Sequence, residues 1–186
     1  MTSSVAVVLA AGSGSRFEGS THKLLAEVRG RPLVTWALDS ARSAGLSRTV
    51  VVTGAIDLSD VVPPDVVVVD NPDWAAGMAT SLQAALAHVR EAWPEVDAVV
   101  VGLGDQPDVT ADAWRSVAAS PTPIAVATYD GARRNPVRLH RDVWPLLPSD
   151  GDAGARLVMG AHPDLVAEVP CTGSARDVDT VADLRN

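Results

Sequence analysis

The chain has 186 residues, is 47% hydrophobic and carries a formal net charge of −8 at pH 7. That length fits one domain with a sizeable core, which we expect to span residues 1–186. The acidic balance argues against general nucleic-acid binding, which requires a basic face. No apolar run approaches the roughly 18 residues of a membrane span, and the first residues lack the basic start of a signal peptide. We therefore expect a cytoplasmic protein that binds neither nucleic acid nor membrane, and its single cysteine, Cys171, excludes an intrachain disulfide.

Short apolar strands alternate with segments of helical periodicity along the chain. Strands are predicted at residues 5–9, 49–53, 66–69, 98–103, 124–128 and 165–169, with a short extended piece at 135–139. Helices are predicted from Pro32 to Gly45, at 56–62, 79–93, 111–118 and 143–147, and from a segment at 150–156 that closes at Gly160. Thr110 is placed to cap the helix at 111–118, and Thr180 with Asp183 resembles a capping box at the start of a last short helix.

The alternation of strands and helices predicts an α/β fold with a doubly wound, mostly parallel, Rossmann-like sheet covered by helices on both faces. In such folds, ligands bind beyond the carboxyl ends of the strands, near the switch in strand order. Three polar segments follow predicted strand ends, at residues 10–16, 70–81 and 104–107. We expect these segments to converge on one site.

The segment after the first strand indicates a phosphate-binding loop. It is rich in small residues and is followed by Arg16 and Lys23, the only lysine of the chain. A dinucleotide fingerprint would need glycine where Phe17 stands, and a Walker A loop would need lysine where Ser20 stands. Residues 1–48 hold six Lys and Arg against three Asp and Glu, whereas 49–186 hold nine against twenty. The alternative is an ordinary strand-to-helix turn with two solvated cations.

Two carboxylates are candidates for binding a metal. Asp105 follows an apolar strand and is flanked by glycine and proline, which suits one ligand of Mg²⁺ or, alternatively, a plain turn. Asp179 precedes a short helix and is either a second metal ligand or a helix-entry acid. The loop at 71–81 offers backbone groups at Gly77 and a hydroxyl at Ser81 that could grip a base or ribose. The alternative for this loop is an N-capped helix with Ser81 on the surface.

Taken together, these segments resemble the MobA-like nucleotidyltransferase family, and within it the molybdenum cofactor cytidylyltransferases. The resemblance rests on LAAGSGSR with Lys23, NPDWAAGMATSL, GDQP, DGDAGAR and DVDTVADL. It implies a single MobA-like NTP transferase domain that uses Mg²⁺ to move CMP from CTP to the terminal phosphate of molybdopterin cofactor, with release of pyrophosphate. It further implies that a molybdoenzyme could receive the product.

The resemblance also implies roles for individual residues. Relatives that use guanine tend to carry glycine where Ala11 stands, which favours CTP. The triphosphate would be bound by Gly14, Arg16 and Lys23, and the metal by Asp105. The nucleoside would be contacted by Leu9, Ala10, Ala11, Gly12, Asp70 and Gly77.

The acceptor side departs from the family pattern, because Arg134-Asn135-Pro136 replaces a common Gly-His-Pro. The choice of acceptor is therefore expected to depend on Asn135 and on residues 150–156. The alternatives are guanylyl or other nucleotidyl transfer to a sugar phosphate or phospholactate, and a non-catalytic nucleotide-binding or chaperone module. An NAD-dependent oxidoreductase is disfavoured by Phe17 and by Thr53 at the end of the second strand, where an acid is expected.

Overall fold

The computed structural model describes residues 3–185. Its strands are β1 Ser4–Leu9, β2 Glu27–Val28, β3 Arg31–Pro32, β4 Arg48–Thr53, β5 Val67–Asp70, β6 Ala98–Leu103, β7 Ile124–Tyr129, β8 Ala132–His140 and β9 Val166–Pro170. Its α-helices are α1 Leu33–Ser43, α2 Met78–Ala92, α3 Ala111–Ala118 and α4 Ala155–Ala161. Short 3-10 helices lie at Lys23–Leu25, Trp74–Ala76, Arg141–Leu146, Pro163–Leu165 and Val181–Arg185. Over residues 3–185, no helix combines the length and apolar character needed to cross a membrane.

A seven-stranded sheet in the order β5-β4-β1-β6-β8-β7-β9 forms the centre of the molecule. Strands β5, β4, β1 and β6 pair in parallel, β7 pairs in parallel with β9, and β8 runs antiparallel to both of its neighbours. The predicted α/β class with a mostly parallel sheet is therefore confirmed. The order of the strands switches beside β1, so the crevice expected for a ligand opens at the end of this strand.

The side chains of strand β1 show that the sheet is covered on both faces. Val5 and Val7 face a core that includes α2 and α4, whereas Ala6 and Val8 face a core that includes α1 and α3. All four of these side chains are fully buried. Burial of a valine stabilises the fold by about 1.5–3 kcal/mol, which accounts for an almost uninterrupted apolar strand in place of an alternating one.

The predicted helix at 56–62 is wrong, because this segment forms turns. The side chain of Asp57 accepts a hydrogen bond from the Ser59 backbone N–H at 2.8 Å, and the Leu58 carbonyl accepts from the N–H groups of Val61 and Val62 at 3.0 Å each. Aspartate side chains compete in this way with helical backbone bonds. The buried Leu58 anchors the segment against the core of α1.

Strand β8 is longer than predicted, and its direction was not predicted. Asp130 and Gly131 both have positive φ, at 49° and 79°, and form a two-residue turn that reverses the chain between β7 and β8. Asp-Gly is a strong hairpin signal that the sequence already carried. Within the ladder, Val126 pairs with Val137 but Ala127 with Arg134, so Asn135 and Pro136 bulge from the strand. This bulge places Asn135 in a cavity above the sheet.

Three other local predictions have mixed outcomes. Thr110 caps α3 as predicted, since its side chain accepts a hydrogen bond from the Ala113 N–H at 3.2 Å. The helix expected to open at 150–156 begins only at Ala155. At the chain end, the Asp183 carboxylate accepts from the Thr180 N–H at 2.8 Å, which is the reciprocal half of a capping box, although the following turn is a 3-10 helix.

Candidate active site

Two cavities adjoin at the carboxyl ends of β1 and β6. The first, of about 620 Å³, is lined by residues 9–16, 23–24 and 74–78 and is termed the loop cavity. The second, of about 730 Å³, lies between the sheet and α4 and is termed the sheet cavity. Both are lined by Leu9, Leu103, Met78, Arg16, Asp105 and Asp179. The boundary between the cavities is therefore a single place where opposite charges meet.

Gly14 gives the loop after β1 its shape. Its φ of +62° lies in the left-handed region, and a Cβ atom there would sit 3.0 Å from the Cβ of Lys23. A side chain at this position would therefore press against Lys23 and displace it. Leu9, Ala10, Ala11, Gly12 and Gly14 all line the loop cavity, together with residues 74–78, Ser81 and Asp105, so the segments at 10–16, 70–81 and 104–107 meet at one site as predicted.

His22 holds this loop in place, a role that the sequence did not reveal. Its Nδ1 accepts a hydrogen bond from the Leu24 N–H at 3.2 Å, and its Nε2 lies 3.1 Å from the Gly12 carbonyl. Since Nδ1 is an acceptor, the proton of a neutral ring lies on Nε2, which donates to Gly12. Burial lowers the pKa of His22, which favours this neutral form.

Lys23 lies between two carboxylates at the boundary. Its Nζ is 2.7 Å from Asp105 Oδ2 and 3.3 Å from Asp179 Oδ1, and Arg16 reaches the other oxygen of Asp179 at 3.0 Å. Exposure is 11% for the Lys23 side chain and 77% for that of Arg16, so only the arginine is free to move through solvent. The two carboxylates therefore already face a cation.

The donor set fits a hard divalent cation. Asp105 Oδ1 is buried, and no protein group within residues 3–185 donates a hydrogen bond to it. Nowhere in that range do three or more His, Cys, Asp and Glu side chains form a ready-made metal cluster. Mg²⁺ characteristically takes only one or two carboxylates and completes its shell with water and phosphate oxygens. Asp105 with Asp179 can thus hold such an ion beside a phosphate.

Asp177 and Gln106 complete the acidic end of the sheet cavity, and neither was predicted from the sequence. Gln106 donates a hydrogen bond to Asp177 Oδ1 at 2.8 Å and another to the Ala175 carbonyl at 3.1 Å. Burial raises the pKa of Asp177, and the charges of Asp105 and Asp179 raise it further. The repeat Asp-Val-Asp was the available signal, because alternate residues of an extended segment share one side.

The segment at 71–81 is organised by a buried amide. Asn71 is 3% exposed and donates hydrogen bonds of 2.9 Å to Thr80 Oγ1 and to Ser81 Oγ. Ser81 is also 3% exposed, so the alternative that placed it on the surface is wrong. Its side chain lines the loop cavity together with Trp74.

Gly77 brings the loop before α2 against a second loop. Its φ is +115°, and a Cβ atom there would lie 2.6 Å from the backbone carbonyl of Gly151. The Ala79 N–H donates to that carbonyl at 2.9 Å, and the Met78 N–H donates to Asp152 Oδ1 at 3.1 Å. Residues 150–154, expected from the sequence to affect the acceptor, therefore also fix the wall of the loop cavity.

Asp70 is the one predicted site residue that the structure does not bring to the others. It ends the edge strand β5, pairs with Thr53, and is exposed. It lines neither the loop cavity nor the sheet cavity. The other predicted residues (Leu9, Ala10, Ala11, Gly12, Gly14, Arg16, Lys23, Gly77, Ser81, Asp105 and Asp179) line the loop cavity or its boundary.

A mostly parallel sheet with a cation-bearing loop after β1 and an acid beyond β6 is an arrangement suited to an α/β nucleotidyltransferase. Residues 6–166 match the family model of the MobA-like NTP transferase domain. The chain belongs to this family. Its members use a nucleoside triphosphate and a phosphorylated acceptor, and generally a divalent metal ion.

Solved structures are similar over nearly the whole chain. The crystal structure of Rv0371c from Mycobacterium tuberculosis H37Rv has 30% sequence identity and a TM-score of 0.83, covering 99% of this chain and 96% of that one. The manganese complex of Rv0371c from the same organism has 32% identity and a TM-score of 0.76, covering 99% and 97%. The inositol-1-phosphate CTP transferase from T. maritima, with 19% identity and a TM-score of 0.74 over 98% and 91% of the chains, shows the shared fold alone.

The curated relatives match over a shorter stretch. The bifunctional protein GlmU of Zymomonas mobilis is 52% identical over 50 residues, which is 27% of this chain and 11% of that protein. The GlmU of Cupriavidus pinatubonensis is 33% identical over 128 residues, which is 67% of this chain and 27% of that protein. This chain thus spans only a small part of the length of the GlmU proteins it matches.

Proposed function

We propose that residues 1–186 form a single domain that transfers CMP from CTP to the terminal phosphate of molybdopterin cofactor, with Mg²⁺ and with release of pyrophosphate. A molybdoenzyme would then receive the product. The observation that carries this proposal is the meeting of two cavities at Asp105 and Asp179. A nucleotidyl transfer requires two phosphorylated substrates whose phosphates meet at one place, and this boundary offers that place.

The loop cavity suits the nucleotide. Residues 9–12 would hold the base and ribose through backbone groups, with Gly77 and Ser81 on the facing wall, and Gly14, Arg16 and Lys23 would bind the triphosphate. Ala11, the residue type that favours CTP at this position, lines the loop cavity, and its side chain packs into the core around α2. The predicted nucleoside contact of Asp70 has no support from its position and is left out of this scheme.

Asp105 and Asp179 would hold Mg²⁺, which when bound supplies positive charge beside the phosphates. Lys23 orients both carboxylates through its ion pairs. Because only 11% of the Lys23 side chain is exposed, the ammonium group of Lys23 is held in place between the two carboxylates.

The reaction needs positioning more than proton transfer. An oxygen of the acceptor phosphate attacks the α-phosphorus of CTP, the bond to the β-phosphate breaks, and pyrophosphate leaves with the electron pair. The attacking oxygen is already anionic, so no strong general base is required. The barrier comes from bringing two anions together, and Arg16 with Lys23 offsets this repulsion at the boundary.

Pyrophosphate release with each of the four nucleoside triphosphates, with and without molybdopterin cofactor, tests the proposal. CTP together with the cofactor should give turnover. Turnover with GTP but not with CTP would show that the base assignment is wrong. If none of the four gives pyrophosphate with the cofactor, either the acceptor assignment is wrong or the chain is a non-catalytic nucleotide-binding module.

The variant Asp105→Asn should lower the rate by about 10²–10³ with the fold intact, because it removes a charge that holds the metal. Circular dichroism checks the fold, and Glu91→Gln, exposed on α2 and outside both cavities, is the matched control. Full activity of Asp105→Asn would contradict the metal role of Asp105.

A further inference from the structure

The sheet cavity is chemically divided along its walls. Its floor is apolar and is made by Leu82, Val101, Val126, Val137, Leu139 and Met159. One wall is acidic and consists of Asp105, Asp177 and Asp179. Asp105 follows β6, and Asp177 and Asp179 precede the last 3-10 helix. The other wall is basic. Arg133 and Arg134 of strand β8 and Arg156 in the first turn of α4 contribute to it.

Two of these arginines are not neutralised by the protein. Arg133 is paired with Glu168 at 2.8 Å. In contrast, Arg134 donates to the Arg133 carbonyl at 3.1 Å, and Arg156 donates to the Asp152 carbonyl at 3.4 Å. Among the described residues, neither Arg134 nor Arg156 has a carboxylate partner, although many surface arginines of this acidic protein do. Guanidinium groups that line a cavity and have no carboxylate partner are available to bind an anion.

We infer that the acceptor is anionic at both ends. Its reacting phosphate lies at the boundary, its apolar or flat body covers the floor, and a second anionic group is bound by Arg134 and Arg156. A volume of about 730 Å³ exceeds what a three-carbon phosphate would fill. A sugar phosphate would place hydroxyl groups against the apolar floor without partners, which is unfavourable.

This inference rests on the proposed function for the identity of the phosphate end, but its test does not require turnover. Phenyl phosphate and 4-carboxyphenyl phosphate differ only in the second anionic group. Their affinities for the full chain, measured by calorimetry with CTP and Mg²⁺ present, isolate the contribution of that group. We expect 4-carboxyphenyl phosphate to bind at least about tenfold more tightly, as is typical of a charge-assisted pair.

The double variant Arg134→Ala/Arg156→Ala should abolish this difference while leaving the affinity for phenyl phosphate within about twofold. The matched control is Arg141→Ala, whose guanidinium also donates to a backbone carbonyl, that of Pro94, but lies outside both cavities. Arg134→Gln alone, which keeps a shorter and uncharged donor, should remove part of the difference and guards against a folding defect in the double variant.

Three results would overturn the inference: equal affinities of the two probes in the unmodified chain, an advantage that persists in the double variant, or no binding of either probe. Glycerol 3-phosphate should bind more weakly than phenyl phosphate, and a reversed order would refute the apolar body. Failure of the proposed function shows separately, as absence of CTP and Mg²⁺ binding in the same instrument.

Discussion

At the scale of single residues, the site depends on how closely the loop after β1 approaches Lys23. Gly14 and His22 make this approach possible, one by having no side chain and the other by bonding to Gly12 and Leu24. Lys23 can then reach Asp105 and Asp179 across the boundary. Small changes in these two residues should therefore affect the stability of the fold, and a change that displaces Lys23 should also affect nucleotide binding.

Gly14→Ala should reduce both stability and nucleotide affinity. The left-handed backbone costs a non-glycine residue about 1–2 kcal/mol, and the new Cβ would press on Lys23 from 3.0 Å. Gly30→Ala is the matched control, because Gly30 has φ of +78° but open space around its Cβ position. Denaturant unfolding should show similar losses in both variants. Calorimetry with CTP and Mg²⁺ should show a loss of about tenfold or more for Gly14→Ala only, and equal affinities would refute the argument.

His22 should make stability depend on pH. Because burial lowers its pKa in the folded chain, the neutral ring stabilises the fold fully above its unfolded pKa of about 6.5. This contribution is lost as pH falls through the folded pKa, when protonated Nδ1 can no longer accept from Leu24. Unfolding free energies at pH 7.5 and pH 5 should therefore fall more in the unmodified chain than in His22→Ala. Parallel profiles would contradict the role of His22.

At the scale of elements, the two cavities are joined through one pair of loops. The loop before α2 contacts residues 150–154 through the Gly77–Gly151 crossing and through the Asp152 side chain at the first turn of the helix. On one side of this contact Asp152 lines the loop cavity, and on the other Gly154 lines the sheet cavity. A substitution at this contact should consequently change the binding of both substrates.

Asp152→Ala should destabilise the fold by about 1 kcal/mol, because the Met78 N–H at the start of α2 loses its acceptor. It should also raise KM for both CTP and the acceptor, which a purely structural cap would not do. Asp152→Asn keeps an acceptor oxygen and should recover most of the stability. Steady-state kinetics with each substrate varied in turn give the comparison, and an unchanged KM for both would disprove the link.

At the scale of the whole molecule, the site is assembled from segments that are distant along the chain. They include the loop after β1, the segment at 71–81, the end of β6, Asp152, and the segment that carries Asp177 and Asp179. A backbone hydrogen bond from the Val178 N–H to the Asp105 carbonyl at 3.0 Å joins the last of these segments to the end of β6. A ligand that contacts all of these segments should stabilise the entire fold.

CTP with Mg²⁺ should raise the melting temperature. At a concentration 100 times Kd, linkage adds about 2.7 kcal/mol, which corresponds to roughly 5–10 °C for a domain of this size. Addition of EDTA should reverse most of the rise, since Asp105 and Asp179 then face the triphosphate without the charge of the metal ion. NADH is the control and should give no rise. A rise with NADH but not with CTP and Mg²⁺ would favour the oxidoreductase alternative.

Many parts of the fold could be predicted from the sequence because they depend on local chemistry. The apolar pattern of β1 and β6 and the cap of α3 by Thr110 are examples. Errors occurred where side chains and backbone compete, as at Asp57 in the expected helix at 56–62. The direction of β8 was missed although its Asp-Gly turn was visible, because a short apolar run does not reveal which strand it joins.

The sequence by itself determined the α/β class, the loop with its cations, and the acids that follow the strands, since periodicity and residue type decide these locally. Only the tertiary structure decided which of these groups meet. It joined Lys23 with Asp105 and Asp179, left Asp70 on an exposed edge, and turned Arg134 and Arg156 to a common cavity. These outcomes depend on strand order and register, which arise from packing between residues far apart in the chain.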